Sequence, residues 1–309
     1  MPELVIDAEG LRKQYRTLAR GAHWAVDGVD LRVTRGEVHG FLGPNGSGKT
    51  STIRMLLGLS RATAGTMALF GEPVPQHQPA VMGRIGAVVE SPKFSPGLSG
   101  RHNLLLLSRS VGLPDTAVDE ALETVGLSRR ANQRYRSYSL GMKQRLAVAA
   151  TLLRDPELLI LDEPSNGLDP AGIRENREMI RAMAERGVTV LLSSHVLAEV
   201  QQVCTAVTIL GRGRTLAAGP VSELLTPTTG VRLVPTDLDR AAGVLTAADL
   251  SVRRDGPALV VDGSPPERIS ELLAGSGVWL SELAPVRRDL ESVYLELTSR
   301  QDLAAEGAA

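Results

Sequence analysis

The sequence predicts an α/β fold: a mostly parallel sheet with an antiparallel β subdomain and a helical subdomain, and a small α+β module behind it. Three observations carry this expectation. Short apolar runs alternate with amphipathic stretches over much of the chain. One such run, VHGFL, leads through the glycine-rich GPNGSGKT into a helical pattern. Beyond the turn-rich LLTPTTG the pattern starts afresh as βαββαβ.

Taken in order, Leu4–Ile6, Val29–Val33 and Val38–Phe41 are β-type runs separated by turn residues and read as an antiparallel patch. After Lys49, helical stretches at Thr50–Leu59, Arg101–Val111 and Met142–Leu153 alternate with buried strands Leu158–Leu161 and Val188–Ser193. That alternation implies right-handed crossovers and parallel pairing. Ile85–Val89 reads as a short buried strand that delivers a carboxylate, Glu90, at its end. Residues 98–154 carry little strand signal, so a helical subdomain is expected there. GRGRTLAAGP reads as a hairpin closing a first domain at 1–224, with 225–230 as linker. In 231–299 the segments Val231–Val234, Leu238–Leu245, Ser251–Arg254, Ala258–Val261, Arg268–Leu273 and Trp279–Leu283 suggest a small ferredoxin-like module. RDLESVYLEL adds a last helix, and 300–309 reads as a flexible tail.

Bulk properties narrow the function. A chain of 309 residues suits a main domain with a lesser one attached. A formal net charge of -1 advertises no nucleic-acid surface. A single cysteine, Cys204 in an apolar stretch, excludes a disulfide framework and a cysteine zinc site. It reads as a core residue. MPELVIDAEG has no apolar segment, so no signal peptide is expected, and no run is long enough to span a bilayer.

Gly43 to Thr50 fits G-x-x-x-x-G-K-[ST], with a strand before it and a helix after it. Glycines in such a loop let backbone N–H groups converge on phosphate oxygens, and the helix N-terminus adds its positive dipole end. Lys49 is expected to reach the β- and γ-phosphates, and the Thr50 hydroxyl to ligate Mg²⁺. LLILDEP then places Asp162 and Glu163 side by side at the end of a buried strand, where open α/β sheets bind ligands. Neighbours on a strand point oppositely, so their roles should differ. Asp162 suits the metal side and Glu163 suits polarising the attacking water. The chain reads as a P-loop NTPase.

YSLGMKQR, shortly before that strand, resembles the L-S-G-G-Q signature of the ABC ATPases: Ser139 and Gly141 match, while Tyr138, Leu140 and Met142 depart from it. The resemblance continues in SNGLDP, whose Asp169 matches the D-loop, and in LLSSH, whose His195 matches the switch histidine. It spans roughly Leu4 to Leu224. It implies that Gly43, Pro44, Asn45, Gly46, Ser47, Gly48, Lys49, Thr50 and Ser51 bind ATP, and that Tyr15 stacks on adenine, with Trp24 as its rival. It implies catalytic roles for Glu163, His195 and Lys49, and Mg²⁺ held by Thr50, Glu90 and Asp162, partly through water. Glu90 stands where the family commonly has Gln. With SPGLSGRHNL and LESVYLELT, it likens the chain to exporters serving bacitracin, lantibiotic and related drug resistance.

By the same resemblance, Ser139, Gly141 and Asp169 act across the interface of a homodimer whose ATPs lie between P-loop and signature helix. The partners implied are a second copy of the chain and separate transmembrane permease subunits at the cytoplasmic face of the membrane, with no nucleic acid. The expected function is ATP-driven export. The alternative is a soluble ABC ATPase of an assembly, DNA-repair or translation complex. Against a DNA-repair ATPase stand the short spacing from P-loop to signature and the lack of cysteine pairs, and against a translation factor the single cassette; an assembly-factor ATPase stays open.

Overall fold

The computed structural model describes residues 3–17, 21–89, 93–225, 230–286 and 289–306. The chain divides into two compact units, residues 1–221 with 294–309, and residues 222–293.

The first unit opens with β1 (Leu4–Thr17) and β2 (Gly21–Thr34), a long antiparallel hairpin. Then come β3 (Val38–Leu42), α1 (Lys49–Leu56), β4 (Ala64–Leu69), β5 (Glu72–Val74), α2 (Gln78–Met82) and β6 (Ile85–Val88). Helices α3 (Gly100–Ser110), α4 (Asp115–Thr124) and α5 (Leu140–Leu152) form the helical subdomain expected over 98–154. The chain continues through β7 (Leu158–Asp162), α6 (Pro170–Glu185), β8 (Thr189–Ser194), α7 (Leu197–Val203), β9 (Ala206–Gly211), β10 (Arg214–Pro220) and a short α8 (Val221–Leu224).

These strands make two sheets, β2-β1-β4-β5 and β10-β9-β3-β8-β7-β6. Strands β9, β3, β8, β7 and β6 run parallel, and β10 adds an antiparallel edge. One expectation is corrected here. Val38–Phe41 is not part of the antiparallel patch; β3 sits in the parallel sheet between β9 and β8, and every residue of it is buried. Its unbroken apolarity is what a strand covered on both faces requires. Strands β1 and β2 also run much further than their apolar cores, into outer halves whose residues are half-buried or exposed.

The main core joins the hairpin to α1 and the parallel sheet through Ile6, Leu11, Leu31, Phe41, Ile53, Leu56 and Ile160, each fully or almost fully buried. Burial of each aliphatic side chain of this size is worth roughly 1.5–3 kcal/mol. Helix α7 packs closely on β3 because Gly40 has no side chain: a Cβ there would lie 2.5 Å from Val200 Cγ1 and 3.2 Å from Cys204 Sγ. Cys204 is a buried free thiol, and burial, with Glu37 nearby, pushes its pKa up.

At the opposite end of the sheet from the strand C-termini, four charges are clasped together. Arg35 after β2 pairs with Glu3 at 2.7 Å and with Glu157 at 2.7 Å. Arg84, before β6, reaches the same Glu157 and lies 3.8 Å above the Phe70 ring. The clasp ties the hairpin to the starts of β6 and β7.

The second unit holds β11 (Val231–Pro235), α9 (Leu238–Ala247), β12 (Ser251–Asp255), β13 (Ala258–Asp262), α10 (Pro266–Gly275) and β14 (Leu280–Pro285), in sheet order β12-β13-β11-β14, all antiparallel. Val231, Leu233, Leu259 and Val261 pack with Leu245 and Leu273, so α9 and α10 cover the same face. Helix α11 (Leu290–Glu306) straddles the boundary between the units. It runs on to Glu306, within the segment expected as a tail, and TSRQDLAAE contains no helix breaker.

The Arg84 and Arg35 guanidiniums hold Glu157 down at about 2, against an ordinary 4.5. A depressed folded pKa stabilises above the unfolded value and loses that contribution as pH falls towards the folded one. Glu157→Gln is expected to lower the thermal midpoint at pH 7. Its deficit relative to the parent should shrink as pH falls from about 4.5 towards 2. Melting curves across that window measure it, and a deficit independent of pH would contradict the assignment.

Candidate functional site

The glycine-rich loop leaves β3 and enters α1 with no side-chain cap, which keeps the first N–H groups of the helix available to a ligand. Gly46 and Gly48 have φ of 83° and 102°. Gly48 also passes so close to the hairpin that a Cβ would lie 2.6 Å from the Ala25 carbonyl oxygen. The crest, Pro44, Asn45 and Gly46, is exposed, whereas Gly43, Ser47, Gly48 and Lys49 are buried and Thr50 and Ser51 half-buried. The Ser47 hydroxyl, on a residue 3 % exposed, has no hydrogen-bond partner among the described residues. A buried orphan hydroxyl is costly unless a ligand oxygen meets it. Lys49 Nζ donates to the Gly43 carbonyl at 2.7 Å and the Pro44 carbonyl at 3.3 Å, and lies 3.2 Å from Glu163 Oε1. The loop therefore fits a polyphosphate.

Strands β7 and β8 bring the remaining chemistry to the same edge. Asp162 lies opposite Ser193 in their parallel register. Its Oδ2 accepts the Thr50 hydroxyl at 2.9 Å, and its Oδ1 accepts the Ser193 hydroxyl at 2.5 Å. Thr50 and Asp162 suit a hydrated divalent cation, which takes few protein ligands beside phosphate oxygens. Glu163 then turns into the left-handed region at φ 51°. Its Oε1 faces Lys49, and its Oε2 lies 2.7 Å from His195 Nδ1 just beyond β8. Residues 49, 50, 162, 163 and 195 thus meet at the C-terminal ends of three strands distant in sequence.

Three other candidates form a second group. Ser139 caps α5, accepting the Met142 N–H at 3.2 Å, and Asp169 caps α6, accepting the Gly172 N–H at 2.8 Å. With Gly141 they line a concavity of about 580 Å³ that no residue of the 43–51 loop borders. Gly141 is not required by its own chain, since a Cβ there would make only ordinary contact, 3.5 Å from Leu168. Tyr138 departs from the leucine of the signature for a local reason. It is buried, its hydroxyl donates to the Arg130 carbonyl at 2.8 Å, and it fills the space a Cβ of Gly100 would occupy, 2.2 Å away.

Tyr15 lies opposite His23 on the hairpin, with ring centroids 5.9 Å apart. Burial raises its pKa, but the hydroxyls of Ser51 and Ser60 and the charges of Lys13 and Arg54 outweigh this and leave it lowered. Trp24 pairs with Gln14 and is 44 % exposed, with the Arg12 guanidinium 6.0 Å from its ring. Glu90 lies outside the described residues. Sequence reasoning missed Ser193: a serine at a strand end carries no signal until β7 is laid beside β8.

Comparison with known proteins joins this geometry to a family. The ABC transporter family model matches residues 26–166, and a domain of unknown function (DUF8746) matches 229–291. The Bacitracin transport ATP-binding protein BcrA of Bacillus licheniformis is 44 % identical over 222 residues, 71 % of each chain. The chain belongs to the ABC transporter ATP-binding proteins. The Nod factor export ATP-binding protein I of Cupriavidus metallidurans is 35 % identical and matches 96 % of this chain and 98 % of its own. Among solved structures, the ABC cassette cbiO1 of Clostridium perfringens, part of the cbiONQ transporter complex, superposes with a TM-score of 0.65 at 26 % identity, covering 72 % of this chain and 90 % of that one. This ABC chain is accordingly an ATPase subunit that binds and hydrolyses ATP. Its C-terminal unit coincides with the domain of unknown function.

Gly48→Ala tests the loop. A Cβ at φ 102° and 2.6 Å from a backbone oxygen forces the loop or hairpin to move. ATP binding, measured by calorimetry, should weaken by at least about tenfold. Unchanged affinity would show that the close approach does not shape the site.

Proposed function

We propose that this subunit drives export of a drug, antibiotic or peptide- or lipid-like compound through separate transmembrane subunits, working as a homodimer at the cytoplasmic face of the membrane. The observation that carries the catalytic part is Glu163, held between Lys49 and His195. The name of the Nod factor export relative supports the direction of transport, and that of the bacitracin transport relative supports an antibiotic as cargo. No helix among the described residues is long and apolar enough to cross a membrane, so the path for cargo is assigned to other chains.

Gly43 to Ser51 grip the phosphates, with Ser47, Lys49 and the start of α1 facing their charge. Mg²⁺, held by Thr50 and, partly through water, by Asp162 and Glu90, supplies charge neutralisation at the phosphates. Phosphate oxygens compete with Glu163 for Lys49, and every contact Lys49 transfers leaves that carboxylate freer to accept a proton. Glu163 then takes a proton from the attacking water on Oε1, while His195 fixes Oε2 and so the direction of the base. Tyr15 is the favoured adenine platform, because its hydroxyl reaches Ser51 in the first turn of α1 whereas Trp24 pairs with the neighbouring position. Ser139, Gly141 and Asp169 face the site of the second copy, which supports a role for Gly141 that its own chain does not demand.

Two measurements test this reading. Glu163→Gln should keep ATP affinity and lower turnover by about 100-fold or more, as loss of a general base does. It should also accumulate an ATP-dependent dimer on size exclusion; near-normal hydrolysis would remove Glu163 from the base role. Mixing inactive Lys49→Ala with inactive Ser139→Arg should restore activity through one intact composite site per heterodimer. If heterodimers form and the mixture stays inactive, sites are not shared between subunits.

A further inference from the structure

Ser193 is fully buried at the end of β8, directly opposite Asp162. Its hydroxyl does two things at once. It donates to Asp162 Oδ1 at 2.5 Å and accepts the backbone N–H of Glu163 at 3.0 Å. That N–H belongs to the residue whose φ of 51° lies in a region side chains with a Cβ avoid. A strand that simply continued would send residue 163 to the far side of the sheet from its neighbour. The left-handed turn instead brings the carboxylate to Lys49 and His195.

We propose that Ser193 is a positioning residue for Glu163: its hydroxyl pins the left-handed peptide and ties it to the carboxylate that also holds Thr50. The result is a continuous chain from the Thr50 hydroxyl through Asp162 and Ser193 to the Glu163 backbone. An alanine at 193 leaves the Glu163 N–H without its acceptor and Asp162 Oδ1 without its Ser193 donor, beside a side chain that is itself fully buried. The base is then free to drift from its line of attack while the phosphate loop, built from β3 and α1, keeps its shape. This inference rests on the reading of Glu163 as the general base.

The experiment is a double-mutant cycle on the full chain, with kcat and KM for ATP measured separately and folding checked by thermal melting. Ser193→Ala should lower kcat by about tenfold or more, the loss that goes with a buried donor left unpaired, while KM stays within about twofold. Ser193→Thr keeps the hydroxyl and should recover most of the rate. In a Glu163→Gln background, Ser193→Ala should cost little more than about twofold, because the group it positions is already lost. Binding of ATP without Mg²⁺ should match the parent in every folded variant. If Ser193→Ala melts early, Ser193→Cys, close in size and a weak hydrogen-bonding group, is read the same way. Parent-like kcat in the alanine variant, with Glu163→Gln inactive, overturns the role of Ser193 alone. So does an equal loss in both backgrounds. Parent-like hydrolysis by Glu163→Gln overturns the base reading and, with it, this inference.

Discussion

The parallel pairing of β7 with β8 is the constraint on which the chemistry depends. Its last pair sets Asp162 beside Ser193, and the next residues on each strand lead to Glu163 and His195. A slip of one residue would turn the side chains of β7 to the opposite face of the sheet and carry Asp162 away from Thr50. Pairing of β8 with β3 then fixes the height of the P-loop against both carboxylates. Buried strands such as Leu158–Leu161 and Val190–Leu192 therefore do more than fill a core. They set the distances at which Lys49, Asp162 and Glu163 meet.

What was legible in the sequence follows from how local each feature is. The phosphate loop is contiguous, and its glycines are needed by its own backbone, so GPNGSGKT declares itself. Asp162 and Glu163 were legible as a pair on one strand, but their separate partners came only with the neighbouring strands. Val38–Phe41 was placed in the wrong sheet because an apolar run of that length looks alike in parallel and antiparallel surroundings. The outer halves of β1 and β2 were invisible for the opposite reason: RKQYR is mostly polar and GAHW is exposed, so neither offers the apolar run of a buried strand. Ser193 escaped notice since its partners lie some thirty residues away, at Asp162 and Glu163.

The departures in the signature have a similar cause. Tyr138 sits beneath Gly100 at the start of α3 and reaches Arg130, so it binds three segments of the helical subdomain together. Gly100 and Tyr138 are complementary shapes: the absent side chain of one makes room for the ring of the other. Ser139 keeps the capping role that any helix start of this kind favours. The change at Tyr138 is thus one of packing inside the chain, whereas Ser139 and Gly141, which match, line the open concavity together with Leu140 and Met142, which do not.

Cys204 has a practical meaning for following this machine in motion. It is the one cysteine in the chain, it is 8 % exposed at the C-cap of α7, and burial disfavours the thiolate that alkylating reagents need. Probes attached to thiols introduced on the surface of α3 or α6 would report from those places with little background from the native residue. Spin labels or fluorophores could then test the proposed approach and separation of two copies in an otherwise unaltered chain.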